Sequence, residues 1–147
     1  HLEDHARTRH GQFEAFAAWA ASPSTEIKRE YFRRYFADTT LNEDWATASL
    51  GPFNDAENES LSLEFLRPAL DSLTWIQQNR RIFYLSAWLG AFVESKRSRE
   101  ALAIVKAFLA ERQDLGKDIR LKVLQSVDEL ERAVLSRERA RGLVNGR

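Results

Sequence analysis

The chain has 147 residues, 44% of them apolar and 30% charged, which suits one folded domain that hides about 70% of its unfolded surface. Lys plus Arg and Asp plus Glu are each 22, so no net field draws the chain to a phosphate backbone or an anionic membrane, and neither nucleic acid nor membrane is expected as a partner. Cysteine and methionine are both absent. Disulfides, thiolate metal ligation and cysteine nucleophiles are thereby excluded, and the abrupt start at His1 reads as that of a fragment or a processed product.

The first predicted helix carries Phe13, Phe16, Ala17 and Ala20 at steps of three and four, and it stops at Ser22-Pro23. There Ser22 is placed to cap a second helix that Pro23 opens and that runs to about Asp38. Its Ile27, Tyr31, Phe32, Tyr35 and Phe36 form one apolar stripe flanked by Lys28, Arg29, Arg33 and Arg34. Thr40 with Glu43 reads as a capping box for a short third helix holding Leu41, Trp45 and Ala48. Gly51-Pro52-Phe53-Asn54-Asp55 is the strongest breaker in the sequence.

A fourth helix is predicted from about Ser60 to Trp75, with Pro68 either kinking it or starting its main part. The fifth, near Asn79 to Glu94, is apolar nearly all round through Ile82, Phe83, Leu85, Trp88, Leu89, Phe92 and Val93, so neighbours are expected to cover most of it. Its apolar stretch is about 12 residues against the roughly 20 a bilayer needs, which makes it a core helix. Ser98 starts a sixth helix through Leu102, Val105, Phe108 and Leu109, and Asp114 precedes a seventh with Ile119, Val123, Val127, Leu130 and Val134. The fold class is therefore all-α: stacked antiparallel helix pairs in an α-solenoid layer of about seven helices. Residues 1–147 are read as a single helical domain, with 1–9 and 140–147 expected to fray.

Candidate chemistry is sparse. His1-Leu2-Glu3-Asp4-His5 has the wrong order for a two-histidine zinc helix, and His10 has no Ser or carboxylate at a recognisable spacing, so neither a metal nor a catalytic residue is assigned. Acid pairs such as Glu43-Asp44 and Asp128-Glu129 fall on polar helix faces. Of the basic groups, Lys28-Arg29, Arg33-Arg34 and Lys96-Arg97 read as plain surface. Arg80-Arg81 differs, because it opens the most apolar helix and is placed either to meet an anion at a cavity wall or to form a helix-start ion pair.

Three segments carry a resemblance. They are Tyr35-Phe36-Ala37-Asp38 running into Leu41-Asn42-Glu43-Asp44-Trp45, then Leu50-Gly51-Pro52-Phe53-Asn54, then Arg80-Arg81-Ile82-Phe83 continuing to Trp88-Leu89-Gly90-Ala91-Phe92. Together with Leu121-Lys122-Val123-Leu124-Gln125, this ordered set resembles the C-terminal end of the aminopeptidase N family of zinc metallopeptidases, over most of residues 25 to 139, in the order and spacing expected of bacterial members.

The resemblance implies a stack of paired helices that closes over a separate catalytic domain, whose His-Glu-x-x-His motif would hold the zinc and the general base. None of those residues is in this chain, so the cofactor belongs to the parent and not to the chain. The partners implied are the parent's catalytic domain and its peptide substrate. Some family members hold the substrate's terminal carboxylate with a basic residue of this domain, and Arg80 or Arg81 is the nearest match. The function expected is that of a non-catalytic helical domain closing the chamber of an enzyme that removes N-terminal residues from peptides. The alternative is a stand-alone helical-repeat module that binds a protein partner. A soluble chain is expected, with the bacterial cytoplasm first among compartments that the residues leave open.

Overall fold

The computed structural model describes residues 2–37 and 41–145, with side chains described for 7–37 and 41–143. All described secondary structure is helical, and among the described residues there is no strand, as the spacing of apolar residues predicts. The chain divides into two compact units, His1–Ser62 and Leu63–Arg147.

The first unit contains α1 (Leu2–Trp19), α2 (Thr25–Ala37), α3 (Glu43–Phe53) and the short α4 (Glu59–Ser62). Its rings interlock: Phe16 lies 4.7 Å from Tyr31 and 5.8 Å from Trp45, and Phe13 meets Trp45 edge-on at 5.7 Å. Two expected boundaries move. Ser24 starts α2 in place of Ser22, its hydroxyl accepting the Ile27 N–H at 3.3 Å, while Ser22 accepts the N–H of Ser24. Asn42 caps α3 by accepting the Asp44 N–H at 2.7 Å; Thr40, expected in that role, lies outside the described residues.

The break expected over Gly51-Pro52-Phe53-Asn54-Asp55 comes towards its far end, since Gly51 and Pro52 are still inside α3, which runs to Phe53. Gly51 does not use a positive φ, and Pro52, which has no N–H to donate to the Ala48 carbonyl, is held in the last turn of the helix. The stop comes at Asn54, which is buried; its backbone N–H donates to the carbonyls of Leu50 and Gly51, and its amide Nδ2 donates to Leu50 at 3.0 Å.

Lys28 belongs to the core of this unit and not to its surface, at 3% exposed. It shares a helix face with Tyr31 and Tyr35, and its ammonium finds acceptors at both helix ends that meet there: Nζ donates to Ala20 O at 2.9 Å and to Phe53 O at 2.8 Å, 4.6 Å from the Phe53 ring.

The second unit contains α5 (Leu66–Asp71), α6 (Leu73–Asn79), α7 (Ile82–Leu89), a π turn (Gly90–Glu94), α8 (Arg99–Glu111) and α9 (Lys117–Asn145). The single predicted fourth helix is broken at Ser72, whose hydroxyl donates back to the Pro68 carbonyl at 2.8 Å. Trp88 stands at the centre of this unit, 1% exposed, with Nε1 donating to Ala69 O at 3.0 Å and Phe92 4.4 Å away. Ser98 caps α8 as expected, accepting the Ala101 N–H at 3.1 Å. Ile119, Val123, Val127, Leu130 and Val134 are the buried stripe of α9, and its backbone stays helical through Asn145, past the point where the stripe ends. Lys96, expected at the surface, is 1% exposed just after the π turn. That turn takes one residue more than an α-helical turn at the end of α7, and Phe92 and Val93 within it are buried as Lys96 is.

Candidate functional site

Arg80 and Arg81 form the junction between α6 and α7. Both backbones are extended, with φ −122° and ψ 163° at Arg80 and φ −66° and ψ 156° at Arg81. The junction is tied at both ends: the Arg80 N–H donates to Ile76 O at 2.9 Å, and the Tyr84 N–H donates to Arg81 O at 2.9 Å. The predicted fifth helix therefore starts at Ile82, not at Asn79.

The Arg80 guanidinium lies between two rings, 5.3 Å from the Trp75 centroid and 5.6 Å from that of Tyr84. Ring contacts of this kind restrict the side chain and hold its charge at the junction. Beside the junction is a hollow of about 490 Å3 between α6–α7 and the first turns of α9. Ile82, Leu85 and Leu121 give it apolar walls, and Arg80, Arg81 and Lys122 line it against the single carboxylate of Asp118. The arrangement can hold an amphipathic ligand with one anionic end: apolar walls take the body, and guanidinium N–H groups take the anion through charge-assisted hydrogen bonds.

Two residues expected in the core belong to this surface. Ile82 is 76% exposed and Phe83 is 84% exposed, because the first turn of α7 projects beyond the helices that bury Tyr84, Leu85, Trp88 and Leu89. Leu121 and Leu124, more than half and nearly half exposed, extend the apolar surface along α9. Sequence reading missed the contribution of α9, yet a signal was present. Leu121 and Leu124 fall off the 119–123–127–130–134 stripe, and an off-stripe Leu on a helix whose core face is complete has only solvent or a ligand to meet.

Elsewhere the titratable groups serve the scaffold. Arg99 grips Glu138 with two bonds, Nε to Oε2 at 2.6 Å and a terminal N–H to Oε1 at 2.7 Å, which holds the Glu138 carboxyl below its ordinary range. The hydrogen bond from Arg112 likewise lowers Asp114. Burial lowers Lys28 below an ordinary lysine, with Asp55 opposing, and burial raises the Tyr31 phenol, which donates to Phe16 O at 2.6 Å. His10 is exposed and pairs with Glu14 at 3.0 Å, one turn along α1. The His1 to His5 run has no described side chains. Among the described residues no three His, Cys, Asp or Glu side chains are grouped to hold a metal ion, and no helix is long and apolar enough to cross a membrane.

No protein-family model, curated protein or solved structure matches the chain. The aminopeptidase resemblance thus rests on the residues that carry it.

Proposed function

We propose that this chain is a non-catalytic helical domain that receives a peptide end in the hollow beside Arg80 and Arg81. On the resemblance of its segments, we assign it to the C-terminal helical part of a zinc aminopeptidase. The observation that supports this reading is the placement of Arg80, Arg81 and Lys122 around apolar walls, an arrangement suited to the last residues of a peptide and its free carboxylate. In the parent enzyme, zinc and the general base would come from the catalytic domain. The helices of this chain would bound the chamber, exclude water and set the position of the peptide's far end.

Two measurements test the two parts of the proposal. Matched free-acid and amidated peptides titrated into the chain should differ in affinity by about tenfold in favour of the acid, from one charge-assisted contact, and Arg80→Ala or Arg81→Ala should erase the difference. Equal binding of acid and amide retires the carboxylate role. The reading frame upstream of His1 tests the parentage: a His-Glu-x-x-His motif supports it, and a frame without one overturns it.

The exposure of Ile82 and Phe83 favours a second reading, a stand-alone module that docks a protein partner on this ridge. It predicts binding that Phe83→Ser abolishes and that peptide amidation leaves unchanged.

A further inference from the structure

The hollow beside Arg80 and Arg81 does not end at Gln125. Lys122 and Gln125 also border a second, smaller hollow of about 140 Å3 that reaches Ser86, Ser126 and Glu94. Glu94 in turn borders a third, shallow one of about 630 Å3 with Glu129 and Arg132. The three share walls in succession and follow the seam where α7 and the π turn pack on α9. From Asp118 to Glu129 this seam covers three turns of α9, about 16 Å at a helical rise of 1.5 Å per residue. An extended chain advances about 3.3 Å per residue, so the seam takes about five residues of peptide.

Charge is unequally divided along it. Arg80, Arg81 and Lys122 line one end together with Asp118. Glu94 and Glu129 stand at the other, where Arg132 bonds Glu129 at 3.1 Å and offsets part of the charge. The Glu94 carboxylate lies back over the π turn, since a Cβ added to Gly90 would come 3.3 Å from Glu94 Oε2. Gly90 thus leaves room for this carboxylate against the backbone, in the wall shared by the second and third hollows.

We propose that the seam is a directional groove for an extended peptide. The free C-terminal carboxylate lies at Arg80 and Arg81, and a lysine or arginine side chain about three to five residues earlier lies at Glu94 and Glu129. This rests on the carboxylate reading of the first hollow and adds to it a preference for a basic residue at a fixed distance from the peptide's end. A peptide threaded the other way would set its carboxylate against Glu94 and Glu129 and its basic residue against Arg80 and Arg81, so direction follows from charge.

The test uses the chain itself and N-terminally labelled ten-residue Ser/Leu peptides, each with one lysine placed one, four or nine residues before a free C-terminus, read by fluorescence anisotropy. The peptide with lysine four residues from the end should bind about three- to tenfold more tightly than the other two, a span set by exposed and partly screened charge pairs. Glu94→Gln with Glu129→Gln should erase that preference and keep the preference for free acid over amide. Gly90→Ala, which crowds the Glu94 carboxylate, should reduce it. Because the lysine is moved in the peptide, the decisive comparison does not depend on any variant folding. Affinity that is independent of lysine position, with the free-acid preference intact, overturns the directional groove and leaves the proposed function standing. Loss of the free-acid preference in the unaltered chain overturns both.

Discussion

The ammonium of Lys28 donates to the main-chain carbonyl of Phe53 at 2.8 Å, inside the core of the first unit. The same nitrogen donates to Ala20 O, so one side chain satisfies an acceptor just past the end of α1 and another at the end of α3. Removing it should cost more than a surface lysine does. Lys28→Met is expected to destabilise the chain by about 1–3 kcal/mol, since two buried carbonyls lose their donor while the cost of a buried charge is relieved. Urea titrations of the two proteins check the value.

Lys28 also predicts a pH dependence of known sign. Its folded pKa lies below the ordinary 10.5, so between the folded value and 10.5 the unfolded chain binds more protons, and stability contributed by this group rises with pH through that window. Tyr31 acts oppositely: its folded pKa is raised above 10.0, so its contribution falls as pH climbs past that value. The difference in unfolding free energy between the unaltered chain and Lys28→Met cancels the tyrosine. It should grow as pH rises towards 10.5, and a flat difference contradicts burial of the ammonium.

Trp88→Ala should cost about 3–5 kcal/mol, combining a large cavity with the loss of the Nε1 bond to Ala69 O. Phe83→Ser, five residues earlier and 84% exposed, should change stability by less than about 0.5 kcal/mol. Read by binding of free-acid peptide, Phe83→Ser should leave affinity unchanged, since Phe83 is not among the residues that line the hollow, and Trp88→Ala should act only through folding.

The fork between Arg99 and Glu138 joins the start of α8 to the distal part of α9. Because the Glu138 pKa is depressed, its contribution is present above the unfolded carboxyl value of 4.5 and is lost as pH falls through the folded value. Protection factors of the amides along residues 131–143, in which the intrinsic pH dependence of exchange is divided out, should therefore fall on acidification in the unaltered chain. Glu138→Gln should show the lower protection already at neutral pH.

The all-helical class was legible because apolar residues recur at three and four throughout, and the α8 cap at Ser98 and the α9 stripe were read residue by residue. Breakers misled in both directions. Pro52 stays inside α3, which stops two residues later, whereas the unremarkable Ser72 interrupts a helix and bonds back to a carbonyl. Lys28 and Lys96 were invisible as core residues, since periodicity scores a lysine as polar and cannot know that carbonyls await Lys28. At the candidate site the Arg80-Arg81 pair stood out in the sequence through its position before an apolar run. Its walls from Leu121 and Lys122 did not, because they come from a helix some forty residues away.

The π turn from Gly90 to Glu94, closed by the Ser95 N–H on Gly90 O at 3.1 Å, sets which kinds of sequence change this region tolerates. A π turn holds one residue more than the α-helical turn it replaces, so deleting one residue there would restore a regular helix and rotate everything after it by about 100°. Phe92 and Val93, both fully buried, would exchange faces, and α8 together with its Ser98 cap would be carried off its packing on α5 and α9. Substitutions at exposed positions of this segment are cheap by comparison. Drifting sequences should thus vary in composition here while keeping their length, and insertions or deletions should gather instead in the loop over residues 112–116.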